Sequence, residues 1–247
     1  MAMTFVPIGV GDAFSALHYS SAVAVEAGGR WLLVDCPHPI RKVLRDASAR
    51  AGVALDVPTF DAVVLTHLHA DHSSGLEDFA YYAHFVLRRR PVLAAHPQVL
   101  ARLWERLAPG MDSLSDPADW SPRPMRLEDY FELAPLDADR PTTVAGFELA
   151  CRRTRHHVFT TALRVRAGGR ELGLSSDTAH DPGLVEWLSR ADLFLHETGH
   201  GVHTPYAALA ALPAPVRARM RLIHYPDGFR ADDGAIELLE EGRRYEV

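Results

Sequence analysis

Three imidazoles and a carboxylate crowd into six residues at His67, His69, Asp71 and His72, inside the segment Thr66-His67-Leu68-His69-Ala70-Asp71-His72. Imidazole nitrogen and carboxylate oxygen suit zinc and other borderline divalent cations. On an extended segment residues 67 and 69 point the same way, so both can reach one cation. A turn after them can direct Asp71 and His72 toward a second position, although one four-coordinate site could also use most of the set. These local side chains leave a hydrolytic centre incomplete. Further candidates are the adjacent pair His156 and His157, then Asp177 and His224, each beside a strand-like run. A carboxylate such as Asp177 can bridge two cations, and a water held between them is acidified enough to act as a nucleophile.

Such side chains need rigid elements behind them. Residues 61–65 form a short apolar strand running straight into Thr66 and His67, and a turn feeds a helix over 76–86. Residues 4–10, 21–27 and 31–34 read as strands, the last two joined by a Gly28-Gly29 hairpin. Ile40, Val43, Leu44 and Ala47 recur at helical spacing over 40–51. Residues 91–95 predict a strand and 97–107 a helix with Pro97 in its first turn. Residues 108–124 read as a loop, and 130–136 and 143–150 as single strands.

The second half repeats the first. Residues 161–165, Ala167-Gly168-Gly169-Arg170, 171–174 and Ser175-Ser176-Asp177 match 22–25, Ala27-Gly28-Gly29-Arg30, 31–34 and Asp35. Two similar sub-structures packed together are expected. Helices follow over 183–188 and 205–212, and short strands over 193–195 and 221–223 end at His196 and His224. Strand tips therefore launch Asp35, His67, Asp177, His196 and His224 into converging loops. The expected architecture is α/β, a single domain over 1–247 with two packed sheets and outer helices.

Bulk properties narrow the function. The 247 residues carry 47% hydrophobic side chains, enough for a sizeable core, and a formal net charge of −6. An acidic surface repels long phosphate backbones, which makes long nucleic acid an unexpected partner. The local basic groups are Arg88-Arg89-Arg90 and Arg152, Arg153 and Arg155, read as solvated faces. Two cysteines make no disulfide framework, and no stretch approaches a membrane span or a signal peptide. A cytoplasmic protein is expected.

Thr-His-Leu-His-Ala-Asp-His at 66–72 resembles the signature of the metallo-β-lactamase superfamily. That resemblance implies a four-layer αββα sandwich of two related halves and runs from Gly9-Val10-Gly11-Asp12 to His224. The second half is similar to the ribonuclease Z-like phosphodiesterase branch. Ser176-Asp177-Thr178 resembles its Gly-Asp-Thr, with Ser in place of Gly, and Leu195-His196-Glu197-Thr198 resembles its His-Glu-Ala-Thr. His203-Thr204 resembles the His-Ser or His-Thr step that follows. The resemblance implies two zinc ions per chain, with Mn2+ or another divalent metal as a substitute. His67, His69 and His156 would hold one, Asp71, His72 and His224 the other, and Asp177 would bridge them. Counting back from residues 160–165 favours His156 over His157.

Asp71, Glu197 and His203 are the implied catalytic residues, with Glu197 orienting His203 as it contacts phosphate or protonates the leaving group. His196 is expected to be structural. His180 could lie behind the ligands, Asp35 is expected to stabilise the histidine loop, and His18 and Tyr19 could line the rim. A long arm for gripping tRNA has no counterpart in the chain. The expected reaction is therefore hydrolysis of a small phosphodiester, such as a cyclic nucleotide, in a homodimer. Alternatives are a carboxylic ester, thioester or lactone hydrolase using Tyr225, a tRNA 3′-processing nuclease, and a non-catalytic metal-binding protein.

Overall fold

A computed structural model describes residues 2–231 and 234–247. The first half supplies strands β1 (Met3–Gly9), β2 (Ala22–Ala27), β3 (Arg30–Val34), β4 (Ala62–Leu65) and β5 (Val92–Ala95), then β6 (Ser113–Ser115), β7 (Pro122–Pro124) and β8 (Glu132–Pro135). The second supplies β9 (Thr142–Val144), β10 (Phe147–Arg153), β11 (Thr161–Ala167), β12 (Arg170–Leu174), β13 (Leu193–Glu197), β14 (Met220–Ile223) and β15 (Glu237–Leu238), and β16 (Tyr245–Glu246) returns to the first sheet. Two seven-stranded sheets result, ordered β16-β1-β2-β3-β4-β5-β8 and β15-β14-β13-β12-β11-β10-β9.

The internal repeat is written in the backbone. In each sheet an antiparallel hairpin, β2–β3 or β11–β12, continues into three parallel neighbours. Ala27 pairs with Arg30 and Ala167 with Arg170. Both hairpins turn on two glycines at positive φ, 61° and 79° for Gly28-Gly29 and 60° and 80° for Gly168-Gly169. Side chains avoid that region, and the strand twist demands it in a two-residue turn.

Alternation along the strands sorts the core into layers. In β4, Val64 faces the second sheet, where it joins Phe5, Leu32, Leu163, Leu172 and Leu195. Val63 and Leu65 face the other way, against Val43 and Leu44 of α1 (Ile40–Ala51), Phe79, and Leu103. The second sheet's outer face packs Phe194 and Leu222 under Leu184 and Leu188 of the helix Pro182–Leu188. All four residues of β4 are buried. Full burial of each Val or Leu contributes about 1.5–3 kcal/mol, which holds so short a strand in register. The result is the αββα sandwich.

Four stretches depart from the pattern read in sequence. The helix expected over 76–86 is α-helical only over Leu76–Tyr81 and widens to a π-helical turn over Tyr82–Leu87. That turn keeps Ala83 buried while Tyr81 and His84 both reach Tyr130, at 5.8 and 5.3 Å between ring centroids. The helix expected to end near 107 runs Pro97–Met111 despite Pro109, because Leu103, Leu107 and Met111 continue one buried stripe. The loop expected over 108–124 contains the β6–β7 hairpin, whose strands Ser-Leu-Ser and Pro-Arg-Pro are short and largely exposed. The single strand expected over 143–150 is split by a turn at Ala145-Gly146, both at positive φ.

The arginine groups are partly spent on structure. Arg89 donates to the Val57 and Phe60 carbonyls at 3.0 Å, Arg90 to the Glu128 carbonyl at 2.9 Å, and Arg152 to the Gly183 carbonyl at 3.1 Å. Among the described residues, no helix is long and apolar enough to cross a membrane.

Candidate metal centre

The tips of the parallel strands form one edge of the sandwich, and the chemistry gathers there. Asp35, Ser176 and His224 each sit past a strand end with φ of 61°, 50° and 55°. The left-handed region costs a side-chain-bearing residue about 1–2 kcal/mol. At Ser176 the hydroxyl also has no hydrogen-bond partner. Ser176→Gly is therefore expected to stabilise the protein by about 1 kcal/mol, a rise of about 2–4 °C in Tm. A lower Tm in a thermal melt would refute this account of the turn.

Asp35 organises the histidine segment. It accepts the Thr66 N–H at 2.9 Å and the Thr66 hydroxyl at 2.8 Å, and the His72 Nδ1–H at 2.8 Å. His69 precedes the one-turn helix Ala70–Ser73, whose curl brings Asp71 and His72 round to the same side. Gly75 then donates its N–H to the Cys36 carbonyl at 2.8 Å. A Cβ there would meet the Pro37 carbonyl oxygen at 2.5 Å, so the close approach requires glycine.

The second half is tied down as firmly. A Thr154–Thr160 backbone bond of 3.0 Å closes the loop carrying His156 and His157. The Thr154 hydroxyl donates to the Asp177 carbonyl at 2.7 Å. Across the seam between the halves, the Thr161 N–H donates to the Thr66 carbonyl at 3.1 Å.

Two sets of donors meet at Asp177. On one side His69 Nδ1 lies 3.3 Å from His156 Nε2, and Asp177 Oδ2 lies 3.6 Å from His67 Nε2 and 3.7 Å from His156 Nε2. On the other, His72 Nε2 is 3.2 Å from both Asp71 Oδ2 and Asp177 Oδ1, and His224 Nε2 is 3.4 Å from the same two atoms. Nitrogen and oxygen ligands about 2.0–2.2 Å from a tetrahedral cation lie about 3.3–3.6 Å from one another. The donor spacing is thus that of ligands around an ion. The buried His67 Nε2, His72 Nε2 and Asp177 Oδ1 also lack a hydrogen-bond partner, an arrangement a cation would satisfy. His157 is placed outside the sets, with its Nε2 3.1 Å from His69 Nε2.

The electrostatics fit the same reading. Burial pushes the imidazoles of His67 and His156 down, His156 to about 4, so both are neutral, the ligating form. Burial pushes the Asp177 carboxyl up, but His72 and His224 outweigh it and hold it well below the usual carboxylate range. Burial likewise lowers His72, and Asp177 and Asp35 outweigh it, drawing the ring toward the cationic form. This pocket attracts positive charge, and a divalent cation meets that demand.

Glu197 and His203 adjoin the sets. Glu197, 1% exposed at the end of β13, accepts the Thr178 N–H through Oε1 at 2.5 Å and the His203 Nδ1–H through Oε2 at 2.8 Å. Burial raises the Glu197 carboxyl, an effect the His203 hydrogen bond only partly offsets. The same bond raises His203 above its ordinary value. The His203 ring stands 5.2 Å from His224 and 5.8 Å from His156, over both sets.

Other sequence candidates fall outside. His196 is fully buried, bonds the Glu197 carbonyl through Nδ1 at 2.7 Å, and is driven to about 4 by burial. His180 belongs to none of the donor groups. Tyr19 points to Asp46 at 2.8 Å, and His18 packs on Tyr225 with ring centroids 5.6 Å apart. The Tyr225 hydroxyl donates to the Leu239 carbonyl at 2.7 Å with the residue 6% exposed, so it is committed inward. Sequence reading missed Asp227, which pins the 12–19 loop beside His224 by accepting from Ser15, Ala16 and Leu17. Partners more than 200 residues apart leave no local signal. It also missed a groove of about 400 Å³ opening at His69 and lined by Leu68, Gln98, Arg102, Arg106 and Phe159.

Comparisons with known proteins agree with this architecture. The family model described as anti-Pycsar protein Apyc1 matches residues 3–245. The anti-Pycsar protein Apyc1 of Paenibacillus harenae is 30% identical over 97% of this chain and 98% of its own. Among solved structures, the metallo-β-lactamase fold protein YhfI from Bacillus subtilis superposes with a TM-score of 0.76 at 17% identity over the whole of both chains. Human tRNase Z, short form, superposes with a TM-score of 0.69 at 18% identity over 98% of each chain. With two matched half-sandwiches and the histidine-rich edge they share, this chain belongs to the anti-Pycsar protein Apyc1 family on the metallo-β-lactamase fold.

Proposed function

We propose that this chain is a dinuclear metal-dependent phosphodiesterase whose substrate is a cyclic nucleotide or a similarly small phosphodiester. His67, His69 and His156 would hold one zinc ion, Asp71, His72 and His224 the other, and Asp177 would contribute one oxygen to each. Manganese or another divalent ion suits the same mixed nitrogen and oxygen donors. The observation that carries the reading is the single carboxylate Asp177 facing both donor sets at ligand spacing. Bound there, two cations supply the charge that acidifies a water and neutralises phosphate oxygens.

The protein's own groups do the rest. Glu197 holds the Nδ1 side of His203, so Nε2 is the nitrogen left to face substrate. The raised proton affinity of His203 keeps a proton there, ready for the oxygen that leaves phosphorus. One P–O bond forms from water and one P–O ester bond breaks; the His203 proton ends on the leaving oxygen, and the proton that the water loses passes through solvent to restore His203. The groove at His69 offers space for the organic part of a mononucleotide. The inward commitment of Tyr225 weighs against lactone chemistry built on that phenol. A cytoplasmic homodimer remains part of the proposal, and light scattering of purified protein tests the dimer.

The functional test uses full-length protein stripped by a chelator, then restored with zinc or manganese. Cyclic nucleotides, a bis-aryl phosphate, a lactone and a precursor tRNA are offered in parallel. Cyclic nucleotide opening to a linear monophosphate is expected, falling at least about 100-fold on stripping and returning with metal. Turnover of the lactone with no cleavage of any phosphodiester would overturn the proposal.

A further inference from the structure

We infer that His157 is a positioning residue for the metal centre, fixing the tautomer and orientation of His69 from outside. This deepens the proposed dinuclear site and rests on it. The His69 ring is gripped at both ends. Its Nδ1 faces His156 Nε2 at 3.3 Å within the donor set, and its Nε2 faces His157 Nε2 at 3.1 Å. A neutral imidazole carries one proton, so ligation through Nδ1 places that proton on Nε2. The Nε2–H then donates to His157, whose own proton must sit on Nδ1.

Two of the other imidazoles, those on the same segment, show what such a contact does. His72 has the Asp35 carboxylate behind its Nδ1 at 2.8 Å, and His67 has the Thr66 hydroxyl at 3.0 Å. Both rings are buried, whereas His69 is only part-buried on the side of the open groove. Packing alone does not lock it there. His157 does, its ring tilted against those of His69 and His156 with centroids 4.7 and 4.3 Å away, on a loop closed by Thr154 and Thr160.

The choice of an imidazole also sets the charge. The second donor set has Asp71 as well as Asp177, with Asp35 behind His72. The first has Asp177 alone, and His157 adds no anion. The cation at His67, His69 and His156 is therefore the more weakly held of the two, and its retention depends on how well His69 is aimed.

The test is a zinc titration of stripped full-length protein against a chromophoric chelator, read without any substrate. Wild type should take two equivalents of unequal affinity. His157→Ala should weaken the looser equivalent by about 10- to 100-fold and leave the tighter one unchanged. His157→Phe, which keeps the ring but has no acceptor, should do the same. His157→Gln, whose amide oxygen can accept from His69, should recover most of the loss. Wild-type affinities in both the Ala and Phe variants would overturn the inference. So would outright loss of one equivalent in His157→Ala while His156→Ala keeps both, because His157 would then be the ligand. Wild-type protein that takes up no zinc would overturn the metal centre itself, a distinct result.

Discussion

Asp177→Asn is expected to cut phosphodiester turnover by on the order of 1000-fold and to drop bound zinc below one ion per chain. Asparagine keeps the volume and removes the charge. No other carboxylate among the described residues belongs to both proposed metal-holding sets, since Asp71 reaches only His72 and His224. Asp177 is 2% exposed and its backbone carbonyl is anchored by Thr154, which fixes its carboxylate between the two sets. Metal analysis of the dialysed variant, alongside its turnover, checks both halves of the expectation. Two tightly held ions with near-normal turnover would dismantle the assignment of Asp177.

His203→Ala should separate chemistry from metal binding. Loss of a positioned proton donor typically costs about 100- to 10,000-fold in rate, and here the fall should appear in kcat with both zinc ions retained. If a zinc ion leaves with the side chain, His203 is a ligand and the proton-transfer role is wrong. The pH profile adds a second readout. The Glu197 hydrogen bond holds the folded His203 above its ordinary value. The limb of the profile set by His203 is its alkaline one, with activity falling as pH rises through that raised value. Glu197→Gln removes the carboxylate, so this alkaline fall should move to lower pH. In His203→Ala it should vanish.

How much of this was legible in the sequence depended on how local each signal was. His67, His69, Asp71 and His72 announce themselves because four ligand-type residues follow one apolar strand. The Ala-Gly-Gly-Arg repeat foretold the paired hairpins because a two-residue turn needs glycine at positive φ in both copies. Ser176 shows how a departure from the family pattern can be read, since the usual glycine matches a left-handed residue. Illegible features depend on distant partners. The π-helical turn over Tyr82–Leu87 answers to Tyr130, and Pro109 is tolerated because Met111 is buried. His156 and His157 are alike in sequence, and only the loop closure at Thr154 and Thr160 sends one ring inward and the other against His69.

The seam joined by Thr66 and Thr161 divides the proposed ligands between the halves. His67, His69, Asp71 and His72 come from one half, and His156, Asp177 and His224 from the other. Asp71 and His224, which face one another across the site, are separated by 153 positions of chain. Both cysteines are free, so no covalent link spans that distance. Ligands shared across the seam would close very long loops, as a disulfide does, and loop-closure entropy grows only slowly with length. Occupancy of the site thus becomes a reversible staple: the halves hold each other best when the enzyme is also loaded for work.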